Sequence, residues 1–322
     1  MNTPVHLVGA CALESTQRRE GQMSKKIFIS YSHHQSPWVK DRLVPCLEAG
    51  GAEVLIDRDC FKAGKALVGQ MDATQDAADA SLLVLSPEYL ASAACRHEME
   101  RAVAGDPRLE AGSVIPVMRR KCRLPALFDG ANPLYVDLRR DRNPETWDLL
   151  LSACGADLGA DATQWLDARD EVQRFLSRGQ SVNLVILGEG VAWRSLVEGL
   201  DLLGMGIVDL QKGSTASRRG LVSEMLRSLG VAVRVPAEPD DLAELDRVLE
   251  ERDRSWLGLT HFDLVAHRSF GVDLFAALRY HTMESRKLVL LVHSRTPFHA
   301  LLPTDHPLSM IDIKTVELSG RP

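Results

Sequence analysis

The residue on which chemistry can turn is Glu98. It closes the stretch Ser86 to Glu98, SPEYLASAACRHE, which follows the apolar run SLLVLS. A buried strand followed by a helix puts this carboxylate on the helix's second turn. Facing a nucleotide pocket, it makes the chain an enzyme; facing only water, it leaves an adaptor. Further polar residues stand at the ends of apolar runs: Ser30, Ser32 and His33 in SYSHHQ, and Asp57 and Lys65 in DRDCFKAGK. No metal site is expected. His33 and His34 are adjacent, so their side chains diverge, and no third ligand follows at a usable spacing. Cys95 as a nucleophile lacks a nameable His and orienting acid; its plainer reading is a packed thiol.

These residues need elements to hold them. From Lys25, strand and helix alternate. The predicted strands are KIFISY, AEVLID, SLLVLS, SVIPVM and LYVDL. The predicted helices are PWVKDRLVPCLEAGG, LVGQMDATQDAADA, AACRHEMERAVAG with Ser92 as its cap, and PETWDLLLSAC. Short alternating units argue for a parallel sheet covered on both faces. In such a sheet the loops at the carboxyl ends of the strands converge. One crevice would then gather Ser30, Ser32, His33, Asp57, Lys65 and Glu98.

Length and composition agree with this picture. The 322 residues suggest two domains. Hydrophobic residues are 45% and charged residues 25%, enough for real cores. A net charge of −6 gives no general attraction to nucleic acid or anionic membrane, so neither is expected as a partner. No apolar run approaches the ~20 residues of a membrane span. The six cysteines, at 11, 46, 60, 95, 122 and 154, show no C-x-x-C spacing and read as reduced thiols of the cytoplasm. Residues 1–22 read as a leader, with Met23 as a possible natural start.

KKIFISYS, VLIDRDCFKAGKAL, SLLVLSPEYLASAACRHE and SVIPVMRRKCRLPALFDG, in that order, resemble a TIR domain over residues 24–157. The implied fold is α/β, a flavodoxin-like parallel sheet. Glu98 falls where enzymatic TIR domains carry a catalytic glutamate, in a pattern written W-C-x-x-E. Here it reads Ala94-Cys95-Arg96-His97-Glu98, without the Trp. The resemblance implies cleavage of the nicotinamide–ribose bond of NAD+, a substrate; no cofactor is expected. The leaving group is already cationic and departs neutral, so no general acid is required. A preorganised carboxylate steadies the positive charge that builds on the ribose, whereas ordinary glycosidases need a second carboxyl. By loop position, Ser30, Tyr31, Ser32, His33, Asp57, Lys65 and Cys95 form the expected substrate-binding set. Tyr31 offers a stacking face, His33 a donor to phosphate or ribose, and Lys65 a cation for a phosphate or a neighbouring subunit. The resemblance also implies self-association through TIR domains, and by analogy a role in bacterial anti-phage defence. The rival reading is a non-catalytic scaffold assembling by TIR–TIR contacts.

Beyond a linker at 158–164, strand and helix alternate again over 165–320, predicting a second, Rossmann-like α/β domain of roughly six strands. Its predicted strands are VNLVILG, IVDLQ, VAVRVP, FDLVAHR, KLVLLVHS and IKTVEL. Gly188, Gly190, Lys212, Arg268 and Arg295 fall at expected strand ends and suit an anionic regulatory ligand, such as a nucleotide second messenger. Trp193 stands where a third glycine would complete a dinucleotide fingerprint.

Overall fold

The computed structural model describes residues 24–56, 67–128, 135–188, 190–200, 202, 204–231, 241–268 and 270–321. The leader, Asp57 and Lys65 lie outside the described residues. The chain divides into two compact units, one ending at Asp157 and the other beginning at Leu158.

The first unit is a five-stranded parallel sheet of order β2-β1-β3-β4-β5. Its strands are β1 (Lys26–Tyr31), β2 (Glu53–Ile56), β3 (Ala80–Leu85), β4 (Val114–Met118) and β5 (Val136–Asp137). This is the expected flavodoxin-like order. β3 is central and buried at every position, as its unbroken apolar sequence requires. The first predicted helix is not uniform. A π turn, Val39–Leu43, separates Ser36–Trp38 from α1 (Val44–Ala49). Pro45 has no N–H to give back to the preceding turn, and the π turn stands next to it. There follow α2 (Leu67–Asp76), α3 (Pro87–Ala91), α4 (Ala93–Gly105) and α5 (Pro144–Ala153). Ser92 caps α4 as predicted, its Oγ accepting from the N–H of Cys95.

The second unit is also a five-stranded parallel sheet among the described residues, of order β10-β6-β9-β8-β7. Its strands are β6 (Ser181–Leu187), β7 (Gly206–Asp209), β8 (Ser255–Thr260), β9 (Leu288–Ser294) and β10 (Ile313–Ser319). Its helices include α6 (Ala162–Ser177), α7 (Trp193–Glu198), α8 (Arg218–Ser228), α9 (Asp241–Glu251) and α10 (Val272–Arg279). One face buries a cluster that includes Leu221, Leu245, Leu257, Phe262, Leu274 and Leu290.

Two expectations for this half change, and a third lies outside the described residues. FDLVAHR is not a strand: Phe262–His267 is a 3₁₀ helix, and the strand is the preceding SWLGLT. VAVRVP lies, from residue 232, outside the described residues. Residues 158–161 are not a free linker. Leu158 and Ala160 are fully buried, and the Leu158 carbonyl accepts from Ala192 N–H. The Gly159 carbonyl accepts from Arg321 N–H, and Asp161 caps α6.

Candidate functional site

Glu98 points inward. It lies on the buried side of α4 and is only 5% exposed. Ser30, near the end of β1, donates its hydroxyl to Glu98 Oε2. The same Ser30 oxygen lies 2.8 Å from the Tyr89 hydroxyl. A serine hydroxyl has one proton. Given to Glu98, it leaves Tyr89 as the donor to Ser30. Burial pushes the Tyr89 phenol well above its usual pKa, so it stays protonated and fits the donor role. The helix itself is held from the other side: Gln75, on α2, donates Nε2 to the backbone carbonyl of Glu98 at 2.9 Å. Three elements thus fix one carboxylate.

The predicted substrate set separates into parts. Ser30 and Glu98 are in direct contact. Ser32 is buried and caps the short helix after β1, accepting from His34 N–H. His33 is exposed. Tyr31 is a correction: as the last residue of β1 it is 9% exposed, so its ring is packed and offers no open stacking face. Cys95 is the second. It is 6% exposed and belongs to the apolar cluster of Leu83, Leu85, Tyr89 and Met99, where a small thiol packs well.

Sequence reading missed one cluster in this unit. Trp38 donates Nε1 to Asp141 at 2.8 Å, and the Arg119 guanidinium lies 4.6 Å from the Trp38 ring centre. Arg119 directly follows β4 and donates to the Leu138 carbonyl. Burial lowers its pKa, against the pull of Asp141. A lone Trp after a proline gave no signal of this.

In the second unit, the predicted anion loops are largely spent on the fold. Arg268 donates to the carbonyls of Leu210 and Thr215, so it serves the backbone and is not free for a ligand. Gly188 and Gly190 do not form an open cradle. A Cβ on Gly188 would meet Gly320 at 3.2 Å, and the Gly190 carbonyl would lie 2.1 Å from a Cβ on Gly159. Arg295 is exposed, and its backbone N–H is held by Asp263.

Lys212 does line a cavity of about 190 Å³, with Trp193, Arg194, Asp209 and Thr260. This cavity sits at the carboxyl ends of β7 and β8, the place where open α/β sheets bind ligands. Thr260 is 2% exposed and its hydroxyl has no partner. Behind it, Trp193 stacks on His293 at 3.9 Å between ring centres. His293 Nδ1 accepts from His261 N–H, and His261 Nδ1 is 2.8 Å from Asp209. His261 takes a left-handed backbone, φ 56°, a conformation uncommon for a non-glycine residue. Burial lowers the His293 pKa to about 4. Burial raises Asp209, but the Gln211 N–H and His261 outweigh it and hold the carboxyl low. Because β8 ends at Thr260, the residue that follows the strand is His261.

Among the described residues, no helix is long and apolar enough to cross a membrane.

Residues 27–151 match the family model described as TIR domain. Toll-like receptor 1 of Homo sapiens is 31% identical over 108 residues, which is 31% of this chain and 14% of the receptor. The chain therefore spans a small part of the curated relatives it matches. Among solved structures, the TIR domain of a Toll-related receptor from Hydra magnipapillata aligns with 41% of this chain and 99% of its own, at 19% identity and a TM-score of 0.36. A Walker-type ATPase of Pyrococcus abyssi aligns with 48% of this chain and 52% of its own, at 12% identity and a TM-score of 0.35. With the flavodoxin-like sheet and the family match together, residues 27–151 of this chain are a TIR domain.

Proposed function

We propose that the first unit cleaves NAD+ at the nicotinamide–ribose bond, with Glu98 as the residue that steadies the ribose cation. The observation that carries this reading is the inward carboxylate, buried and bonded to Ser30. A carboxylate kept only for solubility would point to water. Burial in a low-dielectric site strengthens its effect on a developing positive charge. Ser30 fixes the orientation of one oxygen, so little reorganisation is needed when charge appears. Water attack at the ribose carbon gives ADP-ribose, and attack by an adenine nitrogen gives a cyclic isomer.

Self-association through the TIR unit completes the site, the second unit regulates it, and the setting is NAD+ depletion in the cytoplasm during bacterial anti-phage defence. Self-association and the defence setting rest on the resemblance, and regulation on the strand-end residues of the second unit. For regulation, the cavity beside Lys212 and Trp193 is the candidate, and a nucleotide second messenger is its proposed ligand.

The test is nicotinamide release from NAD+ by the purified full chain, wild type against Glu98→Ala, over a range of protein concentrations. Release that is lost in the variant and rises steeply with concentration supports the proposal. Equal release by both proteins ends it.

A scaffold reading also has an observation in its favour. At 5% exposure, Glu98 is as enclosed as a core residue. Absence of any release at high protein concentration, with TIR–TIR association intact, would select that reading.

A further inference from the structure

The second unit has another cleft, at the opposite edge of its sheet. It has a volume of about 340 Å³ and lies where β6, β8, β9 and β10 begin. Three arginines border it: Arg178 after α6, Arg254 before β8, and Arg286 before β9. All three are exposed. Among the described residues, none of their guanidinium groups has a hydrogen-bond or ion-pair partner. The one acid in the lining, Asp312, is already paired with Lys314 at 3.1 Å. Ser181 and Thr282 add hydroxyls to the lining, though Thr282 gives its proton to Leu278 and Ser181 accepts from Leu290 N–H.

The backbone around the cleft is shaped to allow this. Arg178 is followed by Gly179 at φ 76°. A Cβ on Gly179 would lie 2.6 Å from Arg254 Nη1, so the turn lets this guanidinium lie against the main chain. Arg286 itself holds φ 55°, just after the π turn Tyr280–Glu284. Left-handed non-glycine residues and π turns both concentrate at functional sites.

Like charges drawn to one cleft repel unless something neutralises them, and no carboxylate here is free to do so. A guanidinium presents a planar fork that matches phosphate oxygens two at a time. The cleft volume falls in the usual range for small-molecule sites, roughly 300–1,000 Å³. We propose that this cleft binds a small molecule carrying at least two phosphate-type groups, held by Arg178, Arg254 and Arg286. The site is separate from the Lys212 cavity and from Glu98, and it is read by binding without turnover.

The test is calorimetry on the full chain with inorganic pyrophosphate, ADP, adenosine and a single-stranded DNA 12-mer, at low and moderate salt. Pyrophosphate should bind at one site per chain, ADP should compete for that site, adenosine should not bind there, and affinity should fall as salt rises. Equal affinity for pyrophosphate and ADP assigns the contact to phosphate alone; tighter ADP adds a nucleoside contact. Arg178→Gln, Arg254→Gln and Arg286→Gln should each weaken pyrophosphate binding about tenfold or more. Arg247→Gln, an exposed arginine of α9 outside the cleft, should leave it unchanged. Three results overturn the proposal, each with the fold intact by circular dichroism. One is no saturable heat with any probe. Another is unchanged affinity in the triple arginine variant. The third is DNA binding tighter than ADP.

Discussion

Ser30 and Glu98, 68 positions apart in the chain, share a hydrogen bond inside the first unit. One residue belongs to the strand and the other to the helix that covers it. Replacing Ser30 by Ala leaves both Glu98 and Tyr89 short of a buried partner. The expected loss of stability is about 1–3 kcal/mol, read by urea unfolding. Nicotinamide release should fall about tenfold or more as the carboxylate loses its fixed orientation.

Tyr89→Phe tests the direction of the row. It removes the donor to Ser30 and spares the bond from Ser30 to Glu98. Stability should fall by about 1 kcal/mol, with nicotinamide release changing far less than in Ser30→Ala. A larger loss of activity in Tyr89→Phe than in Ser30→Ala would contradict the assigned donors.

Glu98→Gln keeps the shape and removes the charge. If charge stabilisation is the role of Glu98, turnover should fall by roughly 10²–10³ while NAD+ affinity changes little. Single-turnover kinetics and equilibrium binding separate the two effects.

His293 gives the second unit a pH dependence with a definite sign. The unfolded chain takes up this proton near pH 6.5, the folded chain only at about 4. Between those values the unfolded state binds more protons, so stability falls as pH falls. The slope from this residue approaches ~1.4 kcal/mol per pH unit and vanishes below about pH 4. His306, also lowered by burial, adds in the same direction. Urea midpoints measured from pH 7.5 to 4.5 should show a shallower slope in His293→Gln.

Gly159→Ala should destabilise the second unit by more than ~2 kcal/mol. Gly159 has φ 65°, and a Cβ there would lie 2.1 Å from the Gly190 carbonyl oxygen. Thermal unfolding of the two proteins decides it.

Strands were legible both where burial is complete and where it is partial: the predicted AEVLID, IVDLQ and IKTVEL are β2, β7 and β10, each partly exposed. β3 reads as a nearly continuous apolar run because both of its faces are covered. β8 was not legible. SWLGLT carries Gly258 at its middle, which weakens its strand signal. The neighbouring FDLVAHR looked the better candidate, yet His261 takes a left-handed turn and the chain coils into a 3₁₀ helix. The sequence put Glu98 on the helix after the central strand, and the TIR resemblance singled it out there as a candidate. The role of Gln75 was not: a glutamine reaching a helix carbonyl 23 residues away leaves no mark on any periodicity. The Trp193–His293 stack was equally hidden, because it joins the ends of β6 and β9 across more than half of the second unit.

The direction of the Tyr89–Ser30–Glu98 row bears on where a reaction could send its hydrogen ion. The Ser30 hydrogen already goes to the carboxylate and the Tyr89 hydrogen to Ser30, and the phenol at the far end holds its own tightly. That path is a cul-de-sac for outbound acid. In the proposed reaction, a hydrogen ion freed when water attacks the sugar would have to leave by a route other than this row.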